Sequence, residues 1–157
     1  MTTAEAQPID ACLAEWHEHL RGEREGGLET LLRDDVVFYS PIVFSAITGK
    51  EQTMLYLAAA GNTFGGEPTS SAVVPDSAPA GAKAGGGFRY VGTTTSSHQA
   101  VLQFETTMAG KYVNGVDIIT CDDDGRIVEF KVMIRPLQAV NTVHAQMQAM
   151  LEAMSDE

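Results

Sequence analysis

The sequence predicts an α+β fold: a curved antiparallel sheet packed with helices from both ends of the chain. Three observations predict it. Apolar residues recur at helical spacing between Pro8 and Leu20, strand-like runs follow one another from Phe88 to Pro136, and helical spacing returns after Pro136.

Pro8 opens a helix at its first turn, where a missing N–H costs nothing, and Ile9, Cys12, Leu13, Trp16 and Leu20 then share one face. Gly22 ends it. Leu28, Leu31 and Leu32 predict a second short helix stopping at Asp34-Asp35. The run VVFYSPIVF is β-branched and aromatic, but Pro41 cannot donate to a sheet ladder. A short strand to Tyr39, a bend and an edge position are therefore expected. Thr48 and Glu51 form an S/T-x-x-E helix start, followed by a helix through Met54, Leu55, Leu57 and Ala58. Between about Gly61 and Gly87 the chain is rich in Gly, Ala, Ser and Pro and has no period, which predicts a flexible insertion within a single domain spanning 1–157. FRYVGTT and AVLQFETTM then read as strands, with turns near Ser96-Ser97 and Ala109-Gly110. Last comes a helix with Leu137, Val140, His144, Met147, Leu151 and Met154 on one face.

The 21 acids against 10 Lys and Arg give a formal net charge of −11, which repels phosphate backbones and anionic lipids. No nucleic-acid or membrane partner is expected. The N-terminus has neither a basic region nor a long apolar run, and no segment approaches the roughly 20 apolar residues that span a bilayer, so a cytoplasmic location is expected. Cys12 and Cys121 sit in apolar patterns and read as buried free thiols. Metal binding has little support. His17 and His19 point to different sides of a helix, and Asp122-Asp123-Asp124-Gly125 lacks the oxygen spacing of a calcium loop. No phosphate-loop pattern surrounds Thr48-Gly49-Lys50.

The most informative stretch is VNGVDIITCDDDGRIVEFKVMIRP, residues 113–136, two strands joined at Asp-Gly. Period-two alternation places Val113, Gly115, Asp117, Ile119 and Cys121 on one face. A carboxylate among such neighbours needs a partner or an altered pKa, because an unpaired buried charge is costly to remove from water.

The order helix, helix, bent strand, helix, long meander resembles the cone-shaped NTF2-like superfamily, which includes ketosteroid isomerase, SnoaL-like polyketide cyclases, scytalone dehydratase and limonene-epoxide hydrolase. The resemblance is carried by WHEHLRGEREGGLETLLRDDVVFYSP and GVDIITCDDDGRIVEFKVMIRP, and the second segment is similar to the endings of bacterial SnoaL-like proteins. It implies a cone lined by the inner sheet face, capped by helices and usually dimeric. On it, the proton-shuttling aspartate of ketosteroid isomerase falls at Ser40, which cannot serve as that base. The tyrosine donor falls at Trp16, and the protonated aspartic acid of the oxyanion hole falls at Asp117. Gly115 stands where the epoxide hydrolases carry an arginine, and FKVMIRP lacks the late-strand aspartate of the cyclases.

The resemblance implies that the Asp117 face is the cavity, so Asp117 is the candidate acid in a chamber into which Ile119, Phe130, Val132 and Ile134 also point by strand parity, while Glu129, Lys131 and Met133 point out. Desolvation raises its pKa, so that it can protonate or hydrogen-bond a carbonyl or enolate oxygen. The alternative is a structural aspartate tied to a buried Trp, Tyr or backbone N–H. Tyr39 is the second candidate catalytic group and Ser40 could hold a water, with plain packing as the competing reading. Trp16 reads as cavity wall, and His144 as a core histidine or a rim base. Two functions remain open. One is a cofactor-independent isomerase, cyclase or lyase acting on an apolar carbonyl- or epoxide-bearing small molecule. The other is a module of the same fold that binds a lipophilic ligand or dimerises without catalysis. A homodimer through the outward residues Val116, Ile118 and Met133 is expected in either case.

Overall fold

A computed structural model describes residues 6–23, 25–42, 45–64, 88–108 and 111–155. The chain runs α1 (Pro8–Leu20), β1 (Leu32–Tyr39), β2 (Ile47–Thr48), α2 (Lys50–Phe64), β3 (Arg89–Thr95), β4 (Gln99–Met108), β5 (Lys111–Cys121), β6 (Ile127–Arg135) and α3 (Leu137–Ser155). The strands form one curved, unclosed sheet in the order β2-β1-β6-β5-β4-β3. Strands β3 to β6 make the expected antiparallel meander, but β1 joins β6 in parallel, with Phe38 opposite Phe130. That pair joins distant parts of the chain, so no local turn signal announces it. Among the described residues no helix is long and apolar enough to cross a membrane.

Helix α1 buries Ile9, Cys12 and Trp16, the i, i+3, i+7 stripe that its sequence spells out. Its first turn is tied down by Ile9 N–H donating to the Ser97 carbonyl at 3.1 Å. Its last turn closes as a Schellman motif: Gly22 N–H donates to the His19 carbonyl and Glu23 N–H to the Glu18 carbonyl, with Gly22 at φ 73°. The helix expected around Leu28–Leu32 is instead a single turn, in which the Leu28 carbonyl accepts from both Leu31 and Leu32 N–H. Glycines 26 and 27 at positive φ precede it and Leu32 already pairs with Ile127, so one turn is all that fits. Asp34 and Asp35 do not stop a helix; they lie where the β1–β6 register slips, between Leu32 and Val37.

Strand β1 ends at Tyr39 and β2 lies at the sheet edge, as the Pro41 bend implies. Helix α2 is preceded by Gly49, with φ 97°, and not by Thr48, which belongs to β2. It continues through Gly61 to Phe64, past the expected start of the insertion; residues 65–87 and the Ala109-Gly110 turn lie outside the described residues. The β5–β6 turn is held by Asp122, whose Oδ1 accepts from the N–H groups of Asp124 and Arg126 at 2.9 and 3.0 Å. Helix α3 buries Ala139, Val143 and Met147. Of the expected stripe Met147 is buried, Leu151 packs against the core and Val140 is half-buried, while Ala139 and Val143 complete the buried face and Leu137 and His144 are exposed.

Candidate functional site

The inner face of β5 holds an acid because burial alternates from Gly115 onward: Gly115, Asp117, Ile119 and Cys121 are buried, while Val116, Ile118 and Thr120 are half-buried. Asp117 sits opposite Leu102 on β4 and Val132 on β6. Gly115, one step along the same face, leaves room that no side chain could share. A methyl group there would lie 2.6 Å from the Phe104 ring and 2.5 Å from the Met133 carbonyl.

Asp117 is 6 % exposed and lines a cavity of about 530 Å³. Phe130 and Val132 from β6, Phe104 from β4, Phe88, Leu57 and Trp16 supply its apolar wall. One oxygen of the acid accepts a hydrogen bond from Tyr90 Oη–H at 2.6 Å, and Tyr90 Oη in turn accepts from Trp16 Nε1–H at 2.9 Å. The chain of donors runs from indole to phenol to carboxyl. Burial pushes the Asp117 pKa up to about 7, and the Tyr90 hydrogen bond offsets part of that rise. Burial also raises the Tyr90 phenol, with the neighbouring Asp117 charge adding to it, so Tyr90 remains a neutral donor.

The geometry thus brings together Asp117, Trp16, Phe130 and Val132 of the expected residues. Ile119 is fully buried and Ile134 packs against the core, and neither lines this cavity. Tyr39 is placed elsewhere. Its strand neighbour Phe38 fills the core opposite Phe130, so Tyr39 turns to the outer face, where Lys131 Nζ lies 4.9 Å from its ring centroid. Ser40 is buried at the bend, its Oγ accepting from Ile42 N–H at 3.2 Å, and does not line the cavity. His144 lines a separate, smaller hollow with Ile42, Tyr56 and Leu151.

Tyr90, His17 and Arg21 are cavity residues that sequence reasoning missed. For Tyr90 the cause is a β-bulge. Thr93 pairs with Leu102 and Gly92 with Gln103, so simple alternation would turn Tyr90 outward; the register slips at Val91 and Tyr90 pairs with Phe104 on the inner face instead. Gly92 inside a strand was the available signal.

His98 lies between Ser97 Oγ at 2.9 Å and Asp123 Oδ1 at 2.7 Å, a Ser–His–Asp contact not expected from the sequence. It is on the surface, with the Asp123 side chain 94 % exposed, and lines neither hollow. Among the described residues no three His, Cys, Asp or Glu side chains converge as a metal site.

With this geometry in place, the likeness to solved structures is specific. A steroid delta-isomerase from Pseudomonas aeruginosa superposes with a TM-score of 0.78 at 26 % identity, over 99 % of this chain and 100 % of that one. A Silicibacter pomeroyi DSS-3 protein with a cystatin-like fold gives 0.70 at 24 % identity, over 91 % and 86 % of the two chains. An NTF2-like protein from Mesorhizobium loti gives 0.62 at 15 % identity, over 87 % and 98 %. The chain has the NTF2-like fold. No family model matches the sequence, and no curated protein matches it. In this NTF2-like chain the acid, its donor chain and the apolar wall all belong to the inner sheet face and the helix that caps it.

Proposed function

We propose that this protein binds an apolar, carbonyl-bearing small molecule in the inner cavity and catalyses proton transfer on it, an isomerisation, cyclisation or dehydration, with Asp117 as the acid. The observation that carries the reading is a buried carboxyl lining an apolar cavity and held on one oxygen by Tyr90, where burial pushes its pKa up to about 7. Such a group donates a hydrogen bond to a developing enolate below its pKa and accepts a proton above it, and a positioned acid or base contributes roughly 10²–10⁴-fold to rate. The likeness to a steroid delta-isomerase supports a fused-ring ketone as the first class to try. Ligand binding without turnover is the second reading, favoured by Tyr39 and Ser40 lying away from the cavity.

The test is a thermal-shift screen against polycyclic ketones, lactones and epoxides, followed by turnover of any binder with wild type and Asp117→Asn. A ligand that binds only the folded protein raises its melting temperature. Binding retained with turnover lost in Asp117→Asn supports proton transfer by this acid; equal turnover by both proteins overturns it. The proposal includes a homodimer through the outer sheet face, where Val116 and Ile118 are half-buried and Met133 is 51 % exposed. A monomer by light scattering at micromolar concentration overturns that part.

A further inference from the structure

We infer that His17 is the base that works opposite Asp117, removing a proton from a carbon acid held between the two side chains. The inference rests on the reading of Asp117 as the acid and adds a second catalytic residue to the same cavity.

His17 and Asp117 line one cavity from different elements, α1 and β5. Both are held to the same phenol. The His17 ring stands edge-on to Tyr90, with centroids 5.7 Å apart and planes at 82°, and Tyr90 Oη–H donates to Asp117. Trp16, the residue before His17, donates to Tyr90 Oη from the same helix and so fixes the turn that carries the imidazole. The remaining ionisable groups of the wall are His19 and Arg21 on α1 and Arg89 on β3. The two guanidiniums stay protonated and cannot accept a proton, and each meets a carboxylate, Glu23 for Arg21 and Glu105 for Arg89, at 2.8 Å. His19 stacks at a tilt on Trp16, with centroids 5.5 Å apart.

The protonation states suit the division of labour. Burial first, and then the Arg21 charge, lower the His17 pKa below the ordinary imidazole value. A helix C-terminus usually favours imidazolium, but here the His17, Glu18 and His19 carbonyls already accept from Arg21, Glu23 and Gly22 N–H. Near neutrality His17 is therefore a neutral acceptor, while Asp117, at about 7, is substantially protonated. Environments that push two titratable groups in opposite directions assign the base and the acid.

The step balances without a co-reactant. The C–H proton α to a carbonyl moves to the free imidazole nitrogen, and the C–H electron pair becomes the C=C bond. The carbonyl π pair moves to oxygen, which takes the Asp117 proton or its hydrogen bond. Return of the imidazolium proton to the same carbon, and of the oxygen's proton to Asp117, regenerates the ketone and the starting enzyme; where the substrate carries a further C=C bond conjugated with the enol, return to its far carbon yields an isomer.

The test is exchange of the α-protons of 2-tetralone in deuterated buffer, followed by NMR between about pH 5 and 8. Wild type, His17→Gln, His98→Gln and Asp117→Asn are compared, with ring-NMR titration of His17 in the wild type; His98 lies on the surface and lines neither hollow. The wild-type rate is expected to rise as His17 loses its proton and to fall as Asp117 loses its own. His17→Gln is expected to slow exchange about a hundredfold and to abolish the acidic limb, His98→Gln to stay within about twofold, and Asp117→Asn to remove the alkaline limb. Exchange by His17→Gln equal to wild type, with Asp117→Asn inactive, overturns the inference and leaves the Asp117 reading standing. Loss in His17→Gln with an unchanged profile in Asp117→Asn overturns the Asp117 reading instead. A His17 midpoint above the ordinary imidazole value overturns the inference whether or not tetralone is a substrate, and no exchange by wild type overturns both.

Discussion

The two faces of the central sheet treat polar groups by opposite rules. On the outer face a carboxylate meets a cation: Glu129 lies 3.6 Å from Lys131. The buried Asn114 is likewise shared, donating to the Phe104 carbonyl and accepting from Arg135 Nε–H, both at 2.8 Å. On the inner face Asp117 accepts a bond from a neutral phenol, and no cation contributes to its shift. Three steps along β5 therefore separate a satisfied amide from a carboxyl whose charge is opposed by burial. The contrast shows that the pKa is set by the face a residue occupies and not by the protein's net charge of −11.

The largest effect that would break this contrast is on stability. A carboxyl raised from 3.8 to about 7 in the folded state costs nothing when protonated in both states, and it destabilises increasingly as pH rises from about 4 to 7. The full cost above 7 is on the order of 4 kcal/mol. Asp117→Asn cannot ionise, so urea denaturation should show it gaining on wild type through that window by an amount of this order, then running parallel above it. A constant difference from pH 4 to 8 would mean that Asp117 titrates as an ordinary surface acid.

How much of this was legible in the sequence depended on whether the signal was local. Asp117 and its face followed from alternation along one strand, and Trp16 from the stripe of one helix. Tyr90 did not, because one extra residue at Val91 inverts the parity of half a strand, and a period-two reading passes through a bulge without registering it. Tyr39 failed for a related reason. Its place follows from Phe38 facing Phe130 across the parallel β1–β6 pair, a contact between segments roughly 90 residues apart that no turn residue encodes. In α3 Met147 and Leu151 were read correctly, but the buried face begins at Ala139, a residue that hydrophobic spacing weighs lightly, and runs through Val143, so His144 was drawn into it.

A smaller effect would sharpen the role of the donor chain. Tyr90→Phe removes the only hydrogen bond among the described residues that lowers the Asp117 pKa, and it leaves Trp16 Nε1–H without its acceptor. The midpoint of the Asp117 titration, read by NMR of the carboxyl carbon, should move above about 7, and stability below that pH should fall by roughly 1–3 kcal/mol. An unmoved midpoint would show that the phenol does not hold the acid.

The smallest expected effect tests the outer face. Tyr39→Phe keeps the ring that Lys131 approaches and removes only a hydroxyl that faces away from the cavity. Its stability should stay within about 0.5 kcal/mol of wild type, as for surface changes that break no buried contact. The Asp117 midpoint and the tetralone exchange profile should also be unchanged, because no element of the Trp16–Tyr90–Asp117 chain touches it. A shift in that midpoint on removing one outward hydroxyl would mean that the two faces are coupled through β6, where Lys131 and Phe130 are neighbours on opposite sides, and the separation drawn between them would fail.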